Sequence, residues 1–240
     1  FLLRFIQTQK ARDTFAIVEG YEEDFRLTVG ITIRVRRCVE AYFRLAKVGY
    51  SAEGEMLVRA AVEHAVTAQW AYLTRGGMEA LRNSSDKAQV DVLRAMYEGT
   101  SDPEVGRRYE EANAALPSGP FVPSISRDGG LLDRLEAPFL KLSYRVLSQR
   151  VHVTSKTMTD AFEVSRDGES LEIVDPQGEN QYEALTCLAA SALQVSWILA
   201  RLLGDEDETA RLQAFGSSFD LPHRLDLNLP LEDRRFPSEA

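Results

Sequence analysis

The chain has 240 residues, 44% of them apolar and 27% charged, which excludes wholesale disorder and leaves room for one large soluble domain or two small ones. Cys 2 and His 3 are too few for a disulfide scaffold, a four-thiolate zinc site or a histidine-rich metal centre. The net charge of -9 speaks against indiscriminate nucleic-acid binding and leaves a local basic site open.

The chain opens on Phe1 rather than Met, so we expect it to be part of a longer one. The apolar run from Phe1 to Phe5 is too short for a signal peptide and is followed by Lys10, Arg12 and Asp13. Leu2, Phe5, Ile6, Phe15 and Val18 set a loose helical pattern over residues 1–19. A second helix is expected over 21–48, carried by Phe25, Val29, Ile33, Val39, Phe43 and Ala46, with Gly49 as its stop. Ser51 suits the N-cap of a third helix over 51–74, which is apolar nearly all round and therefore belongs in a core. Gly76-Gly77 ends it, and a fourth helix is expected over 78–98, with a break at Asn83-Ser84-Ser85. Pro103 opens a fifth over 103–115.

Pro117, Gly119, Pro120 and Pro123 mark residues 116–128 as a loop. A sixth helix is expected over 130–152, divided at Pro138. Between 161 and 174 the period changes, and Phe162, Val164, Asp167-Gly168, Leu171 and Ile173 read as a short β-hairpin with a type I′ turn. A seventh helix is expected over 179–203. Its weakly charged stretch at 184–200 is shorter than a membrane span requires, so a buried helix is expected and no membrane partner. After Gly216, Pro222, Pro230 and Pro237 point to irregular chain on the surface. The expectation is an all-α fold, a helical bundle of about seven helices with a small β-hairpin insertion. Residues 1–204 would form the domain and 205–240 an acidic, proline-containing C-terminal segment. Cys38 and Cys187 are expected to be reduced and the compartment cytoplasmic.

Common catalytic signatures are missing from the sequence. GxGxxG, GxxxxGK, HExxH and a Gly-x-Ser-x-Gly elbow do not occur. Ala61 and Gln149 stand three residues before His64 and His152, where a di-iron bundle would need glutamates. No cofactor and no metal are expected.

Two polar constellations stand out. Arg59 and Glu63 lie at i and i+4 on the otherwise apolar third helix, with Thr67 a turn further on. A charged pair in a core helix must be compensated internally. It serves either as an ion pair that fixes helix register or as the polar floor of a pocket. The second constellation lies in the window 137–159, which holds Lys141, Arg145, Arg150 and Lys156 and no acid. Within it Arg145, Ser148 and His152 fall at i, i+3 and i+7, on one face if the helix continues. A guanidinium holds phosphate oxygens and extra negative charge, and an imidazole can take or give a proton near neutral pH. Lys141, Arg150 and Lys156 would add phosphate-binding charge. Alternatively, His152 caps the helix end and Arg145 pairs with Glu63.

Arg145 to His152 has the R-x6-H form of the HEPN superfamily (higher eukaryotes and prokaryotes nucleotide-binding). More closely, the runs Arg59 to Glu63, Tyr144 to Ser148 and Val151 to Thr154 resemble an uncharacterised bacterial helical family, a domain of unknown function. The HEPN resemblance implies an all-α bundle, often a homodimer, with Arg145 and His152 as a catalytic pair at a cleft between copies. It also implies metal-independent cleavage of RNA in toxin–antitoxin or phage-defence systems. Val146, where active members are often polar, and the hairpin after His152 depart from that pattern. Two other readings stay open. One is a non-catalytic helical module that binds a nucleotide or a partner protein. The other is an enzyme acting on a small molecule, with Arg59, Glu63 and His152 around one pocket.

Overall fold

The apolar stretch at 184–200 lies in a largely buried helix. A computed structural model describes residues 1–11, 15–125, 130–136, 138–151, 162–165, 169–173 and 181–236. The fold is all-α. Nine α-helices occur among the described residues: α1 (Leu2–Ala11), α2 (Glu22–Lys47), α3 (Ser51–Leu73), α4 (Gly77–Thr100), α5 (Pro103–Ala114), α6 (Leu131–Arg134), α7 (Pro138–Val151), α8 (Gln181–Leu202) and α9 (Glu206–Phe219). Four short strands accompany them: β1 (Leu135–Glu136), β2 (Phe162–Val164), β3 (Leu171–Ile173) and β4 (Asp226–Leu227). Strands β2 and β3 pair antiparallel, with Glu163 opposite Glu172. The Asp167-Gly168 turn expected between them lies outside the described residues.

The chain divides into two compact units, the first made of Phe1–Gln69 and Leu135–Asp226, the second of Trp70–Arg134 and Leu227–Ala240. This division differs from the boundary expected at residue 204. In the first unit, α2 buries Phe25, Thr28, Thr32, Val35, Val39 and Tyr42, a stripe with the three-and-four spacing of a helix face, against α8. Leu188, Leu193 and Ile198 of α8 are fully buried. By length and composition α8 could cross a membrane, but 78% of its most apolar stretch is buried within the protein. Both cysteines are free thiols, and burial pushes the Cys187 thiol up to about 11.

Helix α9 lies inside the stretch 205–240, for which the sequence predicts an acidic, proline-containing segment without a helix. Asp205 caps it by accepting a hydrogen bond from the Glu208 backbone N–H at 3.0 Å. The acids Glu206, Asp207 and Glu208 in its first turn suit the positive end of the helix dipole. Just beyond α9, residues 222–225 are tied to α3 and α8 by side-chain hydrogen bonds. The Gln69 amide donates to the carbonyls of Gln194 and His223 and accepts from the Leu225 N–H, while Gln194 donates to the Pro222 carbonyl.

In the second unit, α4 runs without the break expected at Asn83-Ser84-Ser85. Asn83 is buried and donates to the Pro120 carbonyl at 2.9 Å, and Ser84 accepts from the Val122 N–H at 2.8 Å. These residues favour turns because their side chains seek backbone partners, and here the 120–122 segment supplies them. Gly76 opens α4 in the left-handed region at φ 69, and a Cβ on Gly77 would lie 2.5 Å from the Ala71 carbonyl. The second glycine is therefore required by contact, the first by conformation.

Candidate functional site

Helix α7 buries Leu140, Ser143, Tyr144 and Leu147 on one face, and this fixes where its polar groups go. Tyr144 and Ser148, one turn apart, meet the Arg59–Glu63 stripe of α3. The Arg59 guanidinium donates from Nε to the Ser148 hydroxyl at 3.1 Å and from Nη2 to the Tyr144 hydroxyl at 2.7 Å. Its Nη2 also pairs with Glu63 Oε1 at 2.9 Å, and Tyr144 donates to the same oxygen at 2.5 Å. Ser148 donates in turn to the Tyr144 carbonyl at 2.8 Å. The guanidinium carbon sits 5.0 Å from the centroid of the Tyr144 ring. Burial first, and then the hydrogen bond to Glu63, hold the Tyr144 hydroxyl above its ordinary pKa, while Arg59 opposes the shift.

The result is a cross-link between α3 and α7 that keeps the Arg59 charge compensated. Tyr144 is its hub and was not singled out from the sequence. The available signal was its i, i+4 spacing to Ser148, opposite a partly buried Arg–Glu pair.

The stripe of Arg145, Ser148 and His152 divides. Ser148 faces α3 with Tyr144, and Arg145, a hundred degrees around the helix from Tyr144, is exposed. Glu63, the alternative partner for Arg145, is instead engaged by Arg59 and Tyr144. Lys141 is partly buried on α7. Arg150 stands in the last turn of α7, with its side chain outside the described residues. His152 and Lys156 lie outside the described residues altogether.

His64, next to Glu63 on α3, is partly buried. Burial lowers its pKa. Glu63 raises it and Arg34 of α2 lowers it by smaller amounts. Among the described residues, no three His, Cys, Asp or Glu side chains gather in a way that could hold a metal ion. A recess in the first unit lies elsewhere, lined by Phe1, Phe5, Leu199, Glu208 and Arg211.

No protein-family model matches the chain, and no curated protein or solved structure is similar to it.

Proposed function

We propose that the protein is a HEPN-like, metal-independent ribonuclease that acts as a homodimer in the cytoplasm, in a toxin or phage-defence role. Arg145 binds the scissile phosphate and the charge that builds on it. His152 takes the proton of the ribose 2′-hydroxyl as its oxygen attacks phosphorus. The imidazolium of the second copy returns a proton to the departing 5′-oxygen, and the strand breaks. Lys141, Arg150 and Lys156 add positive charge along the same segment.

One observation carries this reading. Arg145 is exposed, with no carboxylate paired to it among the described residues, while Glu63 is engaged by Arg59 and Tyr144. In the test, mixed RNA is incubated in EDTA with wild type and with His152→Ala. Cleavage by wild type alone supports the proposal, whereas no cleavage, or equal cleavage by both, overturns it.

The withdrawal of Ser148 toward α3 favours a second reading, a helical module that holds a nucleotide or RNA phosphate on Arg145 without cutting. Retained RNA binding that is lost in Arg145→Ala, with no cleavage at any pH from 5 to 9, would select it.

A further inference from the structure

Helix α2 carries a second basic feature, independent of α7. After an acidic first turn of Glu22, Glu23 and Asp24, the helix and its C-terminal end hold Arg26, Arg34, Arg36, Arg37, Arg44 and Lys47 against Glu40 alone, in a chain whose acids outnumber its bases by 37 to 28. Arg26, Arg34, Arg37, Arg44 and Lys47 are all exposed. The buried stripe from Phe25 to Tyr42 is held against α8, which fixes the rotation of the helix. At a hundred degrees per residue, Arg26, Arg37 and Arg44 then fall on one line roughly opposite that stripe, with Gly30 and Arg34 beside it. Glu40 is occupied by Arg36 at 3.2 Å and Arg44 at 2.6 Å, so it quenches only part of the charge. The line from Arg26 to Arg44 is about 27 Å long, the length of about eight stacked nucleotides at roughly 3.4 Å each. At its C-terminal end Tyr50 is 55% exposed, beside Val48 at 64%.

We infer that this face of α2 binds single-stranded nucleic acid, the arginines following the phosphate backbone and Tyr50 stacking on a base. Guanidinium groups suit phosphate oxygens, and an exposed aromatic at the end of a basic track is how sequence-tolerant single-strand binding is built. An acidic protein surface would meet the charge but has no use for the terminal aromatic, which favours the polynucleotide. The inference goes beyond the α7 proposal: it concerns a different helix face and requires no cleavage.

The test is fluorescence anisotropy of a labelled twelve-nucleotide oligouridylate in EDTA between 50 and 200 mM salt. Four arginines on a single strand give a salt slope of about -2.8, so affinity falls about fifty-fold over that range. Arg34→Glu with Arg37→Glu flattens the slope by about 1.4 and weakens binding at least tenfold at low salt. Tyr50→Ala weakens binding with an unchanged slope. Gly30→Arg adds a charge at a point where a Cβ meets nothing within 4 Å, and steepens the slope by about 0.7. This last variant strengthens binding, so misfolding cannot imitate it. Salt-independent binding, an unchanged slope in the double reversal, or equal affinity for a polyglutamate peptide of matched charge would each overturn the inference. A non-cleaving protein that binds the oligomer as described would leave it standing and remove the ribonuclease proposal alone.

Discussion

Tyr144 donates its hydroxyl proton to Glu63 at 2.5 Å and accepts from Arg59 at 2.7 Å, so one phenol joins a positive and a negative side chain of α3 to α7. Removing that hydroxyl leaves the Arg59–Glu63 pair in place but takes one partner from each. Tyr144→Phe is expected to lose about 1 kcal/mol, and the melting temperature to fall by about 3 °C. Thermal denaturation followed by circular dichroism checks this, and an unchanged midpoint would show that the cross-link does not hold the two helices.

The approach of α3 to α2 depends on Gly54. A Cβ there would lie 2.8 Å from Cδ2 of Tyr42, a ring only 2% exposed and therefore unable to move aside freely. Gly54→Ala is expected to destabilise by about 1–3 kcal/mol despite the better helix propensity of alanine. Gly30→Ala, on the open face of α2, is expected to stabilise by about 0.5–1 kcal/mol. Urea unfolding of the two variants should move in opposite directions.

Burial lowers the pKa of both His64 and His223 in the folded state. The unfolded chain, with histidines near 6.5, then binds protons more readily. Stability from these groups is complete above that value and is lost as pH falls through 6.5 toward the lower folded values. Urea midpoints should therefore drop between pH 7.5 and 5.5, and the drop should be smaller in His64→Gln. A folded-state His64 titration at or above 6.5, observed by NMR, would contradict this.

Cap chemistry explains α9 and offers a further test. Asp205→Ala removes the acceptor for the Glu208 N–H and is expected to cost about 1 kcal/mol. Asp205→Asn, which retains an acceptor oxygen, should recover most of it. Equal loss in both variants, measured by thermal unfolding, would assign the effect to charge instead.

Helix α2 was legible in the sequence because its apolar residues repeat at helical spacing and Gly49, with φ at 91, stops the helix. Helix α3 was legible for the opposite reason: with almost no polar face, its place in a core needed no periodicity. Helix α9 was missed because its acids and the later prolines were read as a tail, although Asp205 three residues before Glu208 is itself a helix-start signal. The break expected at Asn83-Ser84-Ser85 did not occur because their partners lie some 37 residues away, beyond the reach of local propensity. At the candidate site, spacing placed Arg59 and Glu63 correctly on one stripe. It could not show which neighbour would claim Ser148, because that depends on how α7 is rotated by the burial of Leu140, Tyr144 and Leu147.

The most direct measurement is the rate at which a defined RNA is cleaved in EDTA by wild type, Arg145→Ala and Ser148→Ala, with folding verified for each. Arg145→Ala is expected to lose about 10²–10³-fold, as the loss of the proposed phosphate-binding group requires. Ser148→Ala is expected to cleave at a rate near wild type, since its hydroxyl is engaged with Arg59 and the Tyr144 carbonyl. Wild-type protein that does not cleave, or Arg145→Ala cleaving as fast as wild type, would contradict the ribonuclease proposal.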